Sequence, residues 1–230
     1  MRLPQKNRTI EEAVAHIGDG ASIMVGGFGV PGTPFNLIAE LVRQGQKNLT
    51  IIKNDANEAG MGIDHLLANG QVRKLIVTHL GLNAHAIELM NRGVIEVEFC
   101  AQGILAERIR AGGAGLAGFI SDIGIGTELA EGKQMVTVDG SDYVLETALR
   151  TDAALIHAER CDGFGNLCFA KTARNFNPLM AMAADCVIVQ SRNCLPIGDI
   201  DPDSIHTPGP FVDHVVALDQ LHKEYAIVRR

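Results

Sequence analysis

Four glycines fall within seven positions, Gly26, Gly27, Gly29 and Gly32, in the run GGFGVPG. Glycine adopts positive φ at no steric cost and has no Cβ, so such a run can bring several backbone N–H groups against one guest. An anion is the guest that converging N–H groups favour, and phosphate is the simplest. Thr33 and Pro34 follow at once and fit the N-cap and first position of a helix, whose positive end would face the same turn. The spacing is neither a phosphate loop ending in Gly-Lys-Ser/Thr nor GxGxxG, and it holds no basic residue. The residues alone therefore leave a phosphate cradle and a tight core turn both open.

Other chemical candidates do not add up to a self-sufficient active site. A serine nucleophile in a strained elbow would need GxSxG, which does not occur. His79, His85, His157, His206 and His214 are scattered, and Glu58, Glu88, Glu107 and Glu128 stand in no context that singles one out. The five cysteines, at 100, 161, 168, 186 and 194, are odd in number and lack paired metal spacing, so they read as buried thiols and no metal is expected.

Periodicity gives the strands and helices around the glycines. Residues 22–25 read as a strand running into the turn. Phe35, Ile38, Leu41 and Val42 fall at helical spacing until Gly45, and 49–53 read as the next strand. That is a β-α-β unit with a right-handed crossover. The polar loop 54–62 then lies at the carboxyl end of a strand, where open α/β sheets take ligands, although a solvated loop is the simpler reading. Strands over 75–78 and 96–99, and helices over 83–92 and from 101, continue the alternation. The fold class is α/β: a doubly wound, mainly parallel sheet with helices on both faces.

Thr9 with Glu12 fits a capping box for a first helix. Two further glycine-rich stretches, 112–115 and 124–127, suggest one backbone-lined cleft shared with the first, and Glu107, Arg108 and Arg110 read as a solvated helix face. Residues 135–138 and 143–145 flank Asp139-Gly140, a hairpin turn signal, within an irregular β insertion near 112–150. Strands over 153–157 and 186–190 enclose a segment in which Asn177 fits the N-cap of a helix from Pro178. A Pro-rich loop, 205–213, precedes a last strand. No linker divides the chain, so residues 1–230 read as one domain.

The 230 residues are 47% hydrophobic and 20% charged, with a net charge of −7 and a pI near 5.6. An acidic chain without tryptophan has neither the cationic face nor the stacking platforms that nucleic acid needs. No apolar run reaches signal-peptide or membrane-spanning length, so a cytoplasmic protein with no membrane partner is expected.

The motifs resemble a known family. GGFGVPGTP (26–34), AQGILAERIRAGGAG (101–115), GIGT (124–127), TARNFNP (172–178) and DIDPDSIHTPGPFVD (199–213) are similar, in order and spacing over about residues 8–218, to the alpha subunit of family I coenzyme A transferases. The form acting on acetoacetate and other short-chain acyl groups looks closest. The resemblance implies a fold of the type shared with ribose-5-phosphate isomerase, and coenzyme A as substrate with no permanently bound cofactor. It also implies a beta-subunit partner in an α2β2 assembly. By that resemblance Gly26, Gly27, Phe28, Gly29, Val30, Pro31 and Gly32 form the coenzyme A segment, and Asn54, Asp55 and Gly126 line the substrate pocket. Gln102 would donate its amide to the reacting carbonyl. The family's nucleophile is a glutamate in a Ser-Glu-Asn-Gly motif on the beta subunit, and this chain has no such motif. Ala101 stands where relatives carry proline, and Ser121-Asp122-Ile123-Gly124 where relatives often read Thr-Pro-Thr-Gly. The alternative function is a non-catalytic module binding a sugar phosphate or other metabolite. A nicotinamide dehydrogenase is disfavoured, because Lys53-Asn54 ends the second strand where an acidic residue is expected.

Overall fold

The computed structural model describes residues 4–225. Its centre is a seven-stranded sheet made of β1 (Ser22–Val25), β2 (Leu49–Ile52), β3 (Val72–Val77), β4 (Glu96–Phe99), β8 (Thr151–His157), β11 (Ala184–Ser191) and β13 (His214–Ala217). The strands lie in the order β13-β11-β8-β1-β2-β3-β4, with every neighbouring pair parallel. From β1 the chain winds outward through β2, β3 and β4, then returns to β8 on the other side and winds outward again. The strand order therefore reverses between β1 and β8, and ligands of such sheets bind beyond the carboxyl ends at that reversal.

Period-two alternation divides the core between the two faces. Ile23, Val25, Leu49, Ile51, Leu75 and Leu155 pack with α1 (Ile10–Val14), α2 (Phe35–Gln44), α3 (Asp64–Ala68) and α4 (Ala84–Asn91). Met24, Ile52, Ile76, Ala154, Ile156 and Val187 face the other way, onto α5 (Gln102–Gly113) and α6 (Asn177–Met182). The doubly wound reading thus holds strand by strand. The insertion is an antiparallel sheet of β5 (Gly118–Ser121), β6 (Met135–Val138) and β7 (Ser141–Thr147), in which Asp139 and Gly140 both take positive φ at the hairpin turn. The sequence reading missed α3 and a second small sheet, β9 (Arg160–Asp162), β10 (Leu167–Cys168) and β12 (Asn193–Leu195), whose strands are too short to show a period. No helix of the described residues is long and apolar enough to cross a membrane.

Helix starts divide cleanly. Thr9 and Glu12 make the capping box, and Asn83 caps α4 through Ala86 N–H. At α2 the expectation fails: the cap position is Pro34, and Thr33 Oγ1 instead donates to Gly29 O at 2.6 Å. At α6 the cap position is Phe176, and Asn177 is drawn into other bonds. Arg108 is also not solvated. It is buried on α5, pairs with Glu98 at 2.8 Å and donates to Thr147 O, while Glu107 and Arg110 do form an exposed pair. Nor is the second glycine stretch a ligand turn. Gly112 and Gly113 lie within α5, and a Cβ on them would strike Leu149 and Met182, so they are small for helix packing.

Candidate active site

The glycine-rich turn leaves β1 at Val25 and is held from three sides. Gly26 N–H donates to Leu155 O of β8 at 2.9 Å, and Gly29 N–H donates to Asp55 Oδ2 at 2.8 Å. Asn57 Nδ2 donates to Gly29 O at 2.9 Å, from a residue at φ 58°, a conformation asparagine tolerates better than most. Asn177, fully buried, accepts from His157 N–H at 3.1 Å and donates to Gly32 O at 3.2 Å and Ala173 O at 3.0 Å. With Phe28 N–H on Pro31 O and Thr33 N–H on Val30 O, the remaining donors of the turn belong to Gly27, Val30 and Gly32.

The expected anion seat at the α2 N-terminus is taken by the protein itself. Gln190, fully buried on β11, accepts Leu37 N–H at 2.9 Å, an interaction no local pattern announces. Its Nε2 lies 3.2 Å from His157 Nδ1, and Tyr225 OH donates to Thr33 O just before the helix. Leu37 N–H is therefore closed to an anion at the helix end.

Burial holds the His157 ring at a pKa of about 4, well below its usual range. The unfolded chain takes up a proton near pH 6.5 that the folded chain refuses until about pH 4. Folding free energy is therefore lost as pH falls through that window, by up to about 3 kcal/mol from this ring. His157→Gln should make the fall of Tm between pH 6.5 and 4 measurably shallower than in the wild type, as differential scanning fluorimetry will show.

The first part of the loop after β2 is not solvated, although Ala59 and Gly60 farther along it are exposed. Lys53, Asn54, Asp55 and Asn57 are all buried. Asp55 accepts from Gly29 N–H and Asn54 Nδ2 on one oxygen, and from Asn57 N–H and Lys53 Nζ on the other. Despite burial, the Lys53 charge and these donors hold its carboxyl below the usual range. Asn54 Oδ1 in turn accepts Gln102 Nε2 at 2.7 Å. Gln102 is the first residue of α5 and is exposed, so its second N–H and its carbonyl oxygen remain toward solvent.

Phe28, Gln102, Gly103, Ala106, Asn175, Phe176 and Leu179 line one cleft of about 310 Å³. It brings together the turn, the start of α5 and the TARNFNP segment, and its lining includes no carboxylate. Grooves of about 490 and 750 Å³ elsewhere contain none of the expected site residues. Gly126 does not line the cleft; it lies at positive φ in a turn of the insertion. The structure therefore links Gln102, Asn54, Asp55 and the first glycine turn, but not the other two glycine stretches. Gln190 carried no signal in the sequence, and Lys53 and Asn57 were visible there only as the end of a strand and part of a polar loop.

The cleft thus sets an amide donor beside a glycine turn. The coenzyme A transferase family model matches residues 7–218. The chain is 46% identical to the alpha subunit of the acetate CoA-transferase of Escherichia coli K12, over 94% of this chain and 98% of that one. It is 46% identical to the corresponding subunit of the 3-oxoadipate CoA-transferase of Acinetobacter baylyi, over 91% and 93%. Among solved structures, the acyl-CoA transferase of Escherichia coli O157:H7, in a thioester complex with CoA, superposes with a TM-score of 0.84 at 27% identity. This chain is covered completely and spans 50% of that one. The chain belongs to the coenzyme A transferase family.

Proposed function

We propose that this chain is the alpha subunit of a two-chain CoA transferase, assembled as α2β2, which moves CoA from a short-chain acyl-CoA to a second carboxylic acid. A glutamate of the beta chain attacks the thioester carbonyl, expelling CoA thiolate and leaving an acyl-glutamyl anhydride. The thiolate then attacks the glutamyl carbonyl, releasing the first acid and forming a glutamyl-CoA thioester. The second carboxylate reverses both steps and leaves as the new acyl-CoA. Each step exchanges one activated acyl link for another, so no ATP is consumed.

In this chain the turn 26–32 receives the coenzyme through the N–H groups of Gly27, Val30 and Gly32 and the exposed face of Phe28. Gln102 donates its outward N–H to the carbonyl oxygen as that oxygen becomes negative, while Asn54 and Asp55 stand behind it. Gly126 belongs to the part of the pocket that the second chain completes. The observation that carries this reading is a cleft with an amide donor and a glycine turn but no carboxylate among its lining residues. Exposed apolar side chains on the insertion, Ile120, Ile123, Ile125 and Met135 among them, support a covering partner.

The purified chain alone should show no transferase activity, and co-expression with a beta chain should restore it. Incubation of the complex with acyl-CoA and borohydride, followed by mass spectrometry, should place the reduced adduct on the partner's glutamate. An adduct on this chain, or selective binding of a sugar phosphate without CoA, overturns the assignment.

A further inference from the structure

Lys53 is completely buried at the end of β2, and its ammonium meets Asp55 Oδ1 at 3.3 Å. A buried ion pair adds little to stability, because desolvating both charges offsets most of their attraction, and apolar residues of the same size often do as well. What such a pair can supply is direction. An ionised carboxylate only accepts hydrogen bonds, so Asn54 must turn its NH2 group to Asp55 Oδ2, 2.9 Å away. Its carbonyl oxygen then points outward, where it accepts Gln102 Nε2 at 2.7 Å and lies 3.3 Å from Thr78 Oγ1. Every bond in the chain Gln102 → Asn54 → Asp55 runs the same way. Reversing Asn54 would set its NH2 against the amino end of Gln102 and force that amide to turn over as well.

We propose that Lys53 and Asp55 are positioning residues: their ion pair fixes the direction of this hydrogen-bond chain, and so fixes which atoms of Gln102 face the reacting acyl group. The inference rests on the role given to Gln102 above. Without the lysine charge, burial pushes this carboxyl toward its protonated form, which is a donor at one oxygen and frees Asn54 to present either end. The groups facing Asp55 are Lys53, the Asn54 amide and Asn57 N–H from its own loop, Gly29 N–H from the glycine turn, and His79, whose backbone bridges to it after β3. Glu58 follows in the same loop. Lys53 is the cation in direct contact with the carboxyl.

The test uses the complex with its beta chain and reads kcat against pH. Lys53→Met should lower kcat at least about tenfold at pH 6 and recover toward wild type by pH 9, as the orphaned carboxyl ionises. Asp55→Asn, which keeps the shape and removes the charge, should be slow at every pH. In a Gln102→Ala background neither change should cost more than about twofold further, because the residue they act through is gone. A purely structural role predicts a pH-independent loss that multiplies with Gln102→Ala, and that result overturns the proposal. So does wild-type kcat in both variants. Should Lys53→Met fail to assemble, the Asp55→Asn cycle alone decides. An inactive wild-type complex counts against the transferase reading itself and is seen before any variant is made.

Discussion

Gln102→Ala, in the chain assembled with its beta partner, should lower kcat by about 10²–10³ while leaving the protein folded, because one preorganised donor to a developing oxyanion contributes about 3 kcal/mol. The two halves of that expectation come from the same geometry. The side chain is exposed at the first position of α5, and its bond is to Asn54 Oδ1, which keeps Thr78 nearby as an alternative donor. Truncation should therefore cost about 0.5 kcal/mol or less in stability, as surface changes usually do. Gln102→Glu sharpens the test. It is nearly isosteric, cannot donate, and would set a carboxylate beside Asn54 Oδ1 and the incoming nucleophile. It should be at least as slow as the alanine variant. Stopped-flow measurement of acyl-CoA consumption, with Tm measured in parallel, separates the two effects. A variant that loses Tm in proportion to kcat would make Gln102 a packing residue.

Why some of this was visible in the sequence and some was not comes down to how far each side chain reaches. The capping box of α1 closes within three residues and was legible in the sequence; the Asn83 cap of α4 is just as local, although the sequence gives only the helix that it opens. The α2 N-terminus is satisfied by Gln190, separated from Leu37 by 153 positions, and no local rule could foresee that. Thr33 and Asn177 have the right chemistry for caps, but each finds a better-placed partner across the fold, Gly29 for one and Gly32 with His157 for the other. Arg108 looked solvated because its partner, Glu98, lies on the preceding strand and not on its own helix. Strands and helices were legible because period is a local property. The candidate site was legible only as a list of residues, since the bonds joining Gln102 to Asn54 and Asp55 to Gly29 cross 48 and 26 positions. The resemblance supplied the list, and the fold supplied the wiring.

Gly27→Ala should be strongly damaging, and Gly29→Ala, two residues away, should be mild. Gly27 sits at φ 102°, and a Cβ there would lie 2.6 Å from Thr33 N and 2.7 Å from Thr33 Cα. Those are backbone atoms, locked by the Thr33 N–H bond to Val30 O and by the Tyr225 hydroxyl on Thr33 O, so they cannot swing aside as a side chain would. A strained backbone costs about 1–3 kcal/mol and forced overpacking about 1–3 more, which together should lower Tm by about 4–24 °C in a chain of this size. Gly29 takes φ 58°, ordinary left-handed helical space, and a Cβ there meets nothing within 4 Å. Its substitution should cost about 1–2 kcal/mol, the usual left-handed penalty. Both glycines fall in the same motif, so a turn that needed glycine only for flexibility would treat the two changes alike. Equal losses in denaturant unfolding would show that. Unequal losses would mean that the turn is shaped by how closely Gly27 approaches Thr33, which sets where the donors of Gly27, Val30 and Gly32 point. In that case Gly27→Ala should also raise KM for acyl-CoA by a larger factor than Gly29→Ala does.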